Sequence, residues 1–360
     1  CYNPFGLIVG EVIMAIGING MGRIGRLTLR AAMSGVLRDI SDPRLGTGLD
    51  IAHVNELSGD ISTTAHLLEF DSLQGRWKTD IEIENNEALH IEGKRIGYSG
   101  KAKPDSVRWG DLGCDIVLEC TGSFRTREQL EPFFDQGVKK VIVSAPVKDE
   151  GVLNIVMGVN DETYQSDQHS IITAASCTTN CLAPIVKVIH ESIGIMHGQI
   201  TTIHNPTNTN VVVDFPAKDL RRARSALLSL QPTTTGSATA IGLIFPELLG
   251  KLDGHAIRVP VMNASLTDCV FKLKQKTSRD EVNELFDSAA SNDLAGILGI
   301  EYRPLVSADF SGDSRSSVID AQSTMVTDGS LLKVYSWYDN ELGFCCRMVD
   351  LANKVITEGF

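Results

Sequence analysis

The sequence predicts an α/β chain: a doubly wound domain in the N-terminal half, then an α+β domain built on an antiparallel sheet. Three observations carry this. Strand-like and helix-like apolar patterns alternate through the first half, as in repeated βαβ units. Longer alternating runs at 198–203, 266–273 and 331–336 read as half-buried antiparallel strands. A length of 360 residues suggests two domains, each large enough to bury its own core.

Composition narrows the function classes. With 42% hydrophobic and 22% charged residues, the chain is an ordinary globular protein. Its net charge of −12 and lack of a lysine-rich arm argue against a general nucleic-acid or anionic-membrane surface. No apolar run reaches transmembrane length. The eight cysteines are scattered, without a Cys-x-x-Cys pair or His spacing suited to a metal. That distribution fits reduced thiols in a cytoplasmic setting and no metal site. Residues 1–13 lack an initiator Met, a basic region and a cleavage site, whereas Met14 opens a natural start. They read as a leader or tag outside the fold.

The first strand, 15–18, runs into Asn19-Gly20-Met-Gly22-Arg23-Ile24-Gly25 and then a helical pattern to Met33. This is Gly-x-Gly-x-x-Gly with a strand before it and a helix after it, the context a dinucleotide fingerprint requires. Gly20 suits the tight turn, Gly22 a close backbone approach to pyrophosphate, and Gly25 close helix–strand packing. Free N–H groups at the helix start would meet the phosphates. The domain is thus read as a Rossmann domain.

The second strand ends at Glu56, whose carboxylate can accept ribose hydroxyls and would repel a 2′-phosphate. A solvated loop acid is the plainer reading of the same residue. His53 in that strand reads as a core or edge residue. The stretch 39–48 reads as a surface insertion that lengthens the gap to Glu56. Residues 77–98 read as hairpins turning at Asn85-Asn86 and Glu92-Gly93, a small β excursion. A strand at 115–119 leads into Cys120-Thr121-Gly122, followed by an amphipathic helix at 127–134. A further strand leads to Ser144.

Cys177 stands in Ser176-Cys-Thr178-Thr-Asn-Cys181, between a β-prone run and an apolar helical pattern, with His204 27 residues later. A helix N-terminus favours the thiolate, and a neighbouring imidazole would lower the thiol pKa further, giving a nucleophile at neutral pH. Taken alone, the two are equally a buried structural thiol and an unrelated histidine; spacing does not separate these readings.

Further strings join these: Phe70-Asp-Ser72 with Gly75-Arg76, Glu119-Cys-Thr-Gly122, Ser144-Ala-Pro146, Lys218-Asp-Leu-Arg-Arg222-Ala-Arg224, Thr234-Thr235-Gly236, Arg258-Val-Pro260 and Ser336-Trp-Tyr-Asp-Asn340. Together they resemble phosphorylating glyceraldehyde-3-phosphate dehydrogenases from about Met14 onward. The resemblance implies NAD as cofactor, Cys177 as nucleophile and His204 as general base. It implies a thiohemiacetal, then a thioester released by an inorganic anion as an acyl phosphate, with the Cys177 amide at the oxyanion.

Residue by residue, it places Asn19, Gly20, Gly22, Arg23, Ile24, Gly25, Glu56, Thr121, Gly122, Ser144 and Asn340 at the cofactor. Thr207 and Arg258 fall at the substrate phosphate. Ser176, Thr178, Arg222, Thr235 and Gly236 fall at the attacking anion. Arg222 alone is also readable as part of an exposed basic loop.

The implied architecture is a cofactor domain over 14–176 and 340–360, with catalytic residues 177–339 between. A homotetramer is implied, with the 219–231 loop reaching a neighbour's cofactor.

The chain departs from the glycolytic pattern in four places. His204-Asn-Pro206-Thr-Asn-Thr-Asn210 replaces the usual loop after the base, Phe344 a tyrosine, Glu56 an aspartate and Met21 a phenylalanine. The loop and His66-Leu-Leu-Glu-Phe-Asp71 resemble the branch associated with bacterial arsenic resistance, where arsenate replaces phosphate and the product is 1-arseno-3-phosphoglycerate. Erythrose-4-phosphate dehydrogenase is the nearest enzymatic alternative, and a binding protein without catalysis is the alternative of another class.

Overall fold

The computed structural model describes residues 14–33 and 49–359. The expected leader at 1–13 and the expected insertion at 39–48 lie outside the described residues. Two large sheets organise the rest.

The first has nine strands. Leu153–Asn154, Ile171–Thr173, Lys140–Val143, Cys114–Glu119, Ala15–Asn19, Ile51–Asn55 and Lys94–Ser99 run parallel in that spatial order. Ala88–Ile91 and Ile81–Glu84 extend it antiparallel. From the Ala15–Asn19 strand the chain builds outward in both directions, so a switch point lies between it and Cys114–Glu119. Ligands of open α/β sheets bind outside the carboxyl ends at such a point.

The central strands are buried on both faces, as parallel strands between helices are. One face packs Ile16, Ile18 and Leu29 with Met348, Val349 and Val355 of the C-terminal helix Leu342–Glu358. That helix lies against the first helix, Arg23–Met33. The other face packs Trp109, Val117, Phe133 and Val141.

Two expectations change here. The hairpin strands are not a separate excursion, because Lys94–Ser99 pairs in parallel with Ile51–Asn55 and fuses them to the main sheet. The turns fall as read, with positive φ at Asn85, Asn86, Glu92 and Gly93. The helix expected at 127–134 is two short helices, Arg127–Leu130 and Pro132–Asp135. Pro132 has no N–H to continue the first and suits the opening turn of the second.

The second sheet has seven strands in order, Gln231–Thr234, Leu252–Arg258, Ile195–His204, Ser265–Leu273, Leu331–Tyr338, Ser317–Asp320 and Leu298–Glu301, with Met325–Thr327 added beside Leu331–Tyr338. It is predominantly antiparallel; Ile195–His204 with Leu252–Arg258 and Leu298–Glu301 with Ser317–Asp320 are parallel pairs. Alternate residues of Ser265–Leu273 are buried, as a sheet covered on one face requires. The cover includes Leu182, Ile185, Val186 and Ile189 of the Cys177–Ser192 helix and Phe286 of Arg279–Ser291.

Candidate active site

The fingerprint glycines make a tight turn whose geometry tolerates little else. A Cβ on Gly25 would sit 1.9 Å from the Gly20 carbonyl oxygen, and Gly20 itself has φ +93° against the Thr121 backbone. A Cβ on Gly22 would meet nothing within 4 Å, because that position faces open space at the sheet's carboxyl edge. This is the cradle a pyrophosphate would fill. The helix's first backbone bond is Arg26 N–H to the Gly22 carbonyl at 3.1 Å, which leaves the amides before it without a helical partner, as at any helix start.

A cavity of about 410 Å³ opens here, lined by Asn19, Gly20, Gly22, Glu56 and Thr121, together with Met21, Arg26 and Lys101. Glu56 already accepts the Met21 amide on one oxygen and the Ser58 amide on the other, both at 2.6 Å. Each carboxylate oxygen keeps a further lone pair for a hydroxyl. The Arg23 side chain pairs with Asp71 and with Glu341, 3.0 Å from Nε, tying the first helix to the Phe70–Asp71 strand and to the start of the C-terminal helix. Neither Arg23 nor Ile24 is among the residues lining the cleft. Gly122 adopts φ +69°, and the Ser144 amide bonds the Glu119 carbonyl at 2.9 Å, fixing the loops at the strand ends.

The second cavity, about 400 Å³, lies across the 121–125 segment, with Arg125 on its wall. Cys177 and His204 face into it, with Ser176, Thr178, Thr235, Gly236 and Arg258. Cys177 opens its helix as expected, after a turn in which Ala175 takes φ +55°, a strained conformation for a residue with a side chain. Asn180 holds that turn by donating to the Ala174 and Ser176 carbonyls at 2.7 and 2.9 Å. Ser176 is the N-cap, its hydroxyl accepting the Thr179 amide.

Cys177 Sγ lies 3.7 Å from His204 Nε2. On the far side of the ring, His204 Nδ1 is 2.8 Å from the Asn205 carbonyl and 2.6 Å from Arg258 Nη1. These contacts compete. If Nδ1 carries the proton it donates to Asn205, and Nε2 is free to take a proton from sulfur. If Arg258 donates to Nδ1, the proton sits on Nε2. Burial and the adjacent Arg258 push His204 down to about 3.

The expected lowering of the Cys177 thiol is therefore not found: burial pushes it up, with Arg258 and the Thr178 hydrogen bonds opposing. The resting pair is a neutral thiol beside a neutral imidazole.

Two expected anion ligands stand apart. Arg222 is paired with Asp219 at 3.5 Å and is absent from the cavity wall, though its charge is felt at Arg258. Thr207 bonds Thr209 and Asn210 in its own loop, also off the wall. Asn340 is buried, its Oδ1 3.2 Å from the Ser265 hydroxyl, which also reaches Asn205 Oδ1 at 3.0 Å.

Sequence reasoning missed Tyr338, whose hydroxyl bridges Thr178 and Thr202 and whose ring stands edge-on to His204. It also missed Asn208, which lines the cofactor cavity from the loop after His204. Both occur in quoted strings, but nothing local marks their contacts.

A dinucleotide cleft joined at one loop to a half-buried cysteine beside a buried histidine defines a dehydrogenase that works through an enzyme-bound sulfur. The chain belongs to the glyceraldehyde-3-phosphate dehydrogenase family. Residues 14–127 match that family's NAD binding domain and residues 176–340 its C-terminal domain. It is 57% identical over 341 residues to "Glyceraldehyde-3-phosphate dehydrogenase 3" of Nostoc sp., covering 94% of this chain and 97% of the relative. It is 46% identical over 344 residues to the glyceraldehyde-3-phosphate dehydrogenase of Geobacillus stearothermophilus, covering 96% and 98%. A plasmid-encoded relative from Cupriavidus necator is 44% identical over 337 residues, covering 94% and 97%. NAD is the cofactor of the family and fits the cradle at Gly22.

Proposed function

We propose that the chain oxidises D-glyceraldehyde 3-phosphate with NAD and an inorganic anion. The observation that carries this is the Cys177–His204 pair at 3.7 Å in a cavity joined to the dinucleotide cleft. Bound NAD supplies the hydride acceptor. Sγ of Cys177 bonds the aldehyde carbon as its proton passes to His204 Nε2 and from there to the carbonyl oxygen, giving a thiohemiacetal and a neutral His204. The Cys177 amide, free at the helix start, faces the developing oxyanion. Loss of hydride, with the hydroxyl proton going to His204, leaves a thioester. An anion oxygen then attacks the carbonyl carbon and the Cys177 thiolate departs.

Arg258 is the control on this step. A substrate phosphate draws its guanidinium away from Nδ1, so that Nδ1–H donates to Asn205 and Nε2 becomes the basic nitrogen. Thr207 completes the substrate-phosphate site, while Ser176, Thr178, Arg222, Thr235 and Gly236 hold the attacking anion. For Thr207 and Arg222 this requires closure of their loops.

The domain division falls at Ser176/Cys177, with 340–360 returning to the cofactor domain. Exposed Phe215, Leu220, Leu228 and Leu230 support a homotetramer in which the 219–231 loop meets a neighbour. The described cysteines are all free, which supports a cytoplasmic setting; no described helix is long and apolar enough to cross a membrane.

The test is NADH formation from glyceraldehyde 3-phosphate, which should need added phosphate or arsenate. Anion-independent turnover would favour the erythrose-4-phosphate alternative, and none under any condition the non-catalytic one. We place the chain in the arsenic-resistance branch on the His204–Asn210 loop. Co-expression with a partner permease should then give arsenate tolerance to cells lacking other arsenic genes. Tolerance surviving Cys177→Ser would remove the enzyme from that pathway.

Glu56 sets cofactor choice. Glu56→Ala should weaken NAD and narrow its advantage over NADP, read as the ratio of the two KM values. Equal use of both cofactors by the wild type would mean the carboxylate is not at the ribose.

A further inference from the structure

A second acid, Glu119, lies beneath the same cleft, fully buried at the end of the central Cys114–Glu119 strand. One carboxylate oxygen accepts Asn19 Nδ2 at 2.6 Å. The other accepts the Thr121 amide at 2.7 Å and the Thr121 hydroxyl. Asn19 Oδ1 accepts Asn55 Nδ2 at 2.8 Å.

Asn55 cannot flip, because Lys101 grips both ends of its amide. Lys101 N–H donates to Oδ1 and its carbonyl accepts from Nδ2, each at 2.8 Å. Ser99 also donates to Asn55 Oδ1. Both amide orientations, Asn55 and then Asn19, are thereby fixed, and Asn19 presents its N–H donor to Glu119. The residue at 119 must accept at both ends, which an ionised carboxylate does. A glutamine places an N–H against one of the N–H donors, and a protonated acid fits only if the Thr121 hydroxyl turns from donor to acceptor, giving up the charge-assisted bonds.

We infer that Glu119 is a positioning residue for NAD: its carboxylate pins the Asn19–Gly20 turn to the Thr121–Gly122 turn across the pyrophosphate cradle. The inference rests on the dinucleotide reading of this cleft.

The groups facing Glu119 are few. The Cys120 thiol is next on its own strand and Cys345 lies beside it on the C-terminal helix, both kept protonated by burial. Its sheet neighbours Asn19 and Val143 carry no charge. Arg26, Glu56 and Lys101 share the cavity wall, and His53 at the far end of the network is pushed down to about 4. Burial pushes Glu119 itself up to about 7. Its ionised form is thus present above that pH and lost as pH falls through it.

The test is the NAD dissociation constant of the holoprotein, followed by fluorescence or calorimetry between pH 6 and pH 8. Wild type should bind more weakly as pH falls through about 7. Glu119→Gln should bind about tenfold or more weakly at pH 8 and show a flat profile. The wild-type profile needs no variant to fold, and the Cys177 alkylation rate reports whether the variant has folded. Tighter wild-type binding at low pH, as simple repulsion between carboxylate and pyrophosphate would give, overturns the inference. A Glu119→Gln profile matching wild type overturns it too. Failure of wild type to bind NAD at any pH would instead remove the dinucleotide reading.

Discussion

Cys177→Ser is expected to abolish dehydrogenase turnover and leave NAD binding largely intact, whereas Cys181→Ser should retain substantial turnover. The contrast follows from placement. Cys177 is the first residue of its helix, facing a cavity and 3.7 Å from an imidazole. Cys181 is one turn further on, wholly buried against Ser317, and pushed up to about 11. A serine hydroxyl at 177 is a far weaker nucleophile at neutral pH and would leave an ester, less reactive than a thioester toward the attacking anion. Steady-state rates of the two variants check this, and comparable losses in both would remove Cys177 from its role.

His204→Asn should lower the hydride-transfer rate by about 10²–10⁴-fold, the range for loss of a positioned base. Asparagine can keep a hydrogen bond to the neighbouring carbonyl but cannot take a proton. Because burial pushes the Cys177 thiol up, its ionisation needs a nearby proton acceptor, and His204 Nε2 lies 3.7 Å away. Alkylation of Cys177 by iodoacetamide should therefore shift to higher pH in the variant. An unchanged alkylation profile would mean that the two groups do not act as a pair. Without substrate the wild-type histidine, held down to about 3 by burial and by Arg258, stays neutral throughout the physiological range, so the alkylation rate of the substrate-free enzyme should show no step near pH 6.5.

How much of this was legible depended on sequence distance. The fingerprint turn and the cap–nucleophile segment are local, and their residues sit where strand, turn and helix signals place them. The C-terminal helix was legible because Leu342, Met348, Val349 and Val355 form an apolar face, and all four are buried. The catalytic centre's electrostatics were not. Tyr338 meets Thr178 across 160 positions, and Arg258 meets His204 only because two strands run parallel in register. Pairing register is a property of the assembled sheet, and no local pattern encodes it. The sign of the Cys177 shift was misread for the same reason: a helix terminus is visible in sequence, whereas burial of the thiol is not.

The packing of the last helix on the first has a consequence for biosynthesis. The apolar face of Arg23–Met33 finds its partner only in residues near 350, after both sheets have been made. At about 5–20 residues per second, the ribosome delivers that partner on the order of tens of seconds after the first helix emerges. Throughout that interval the nascent nucleotide-binding layer holds an uncovered hydrophobic flank. Docking of the Leu342–Glu358 helix is therefore the late step that closes this flank, a contact of long sequence separation.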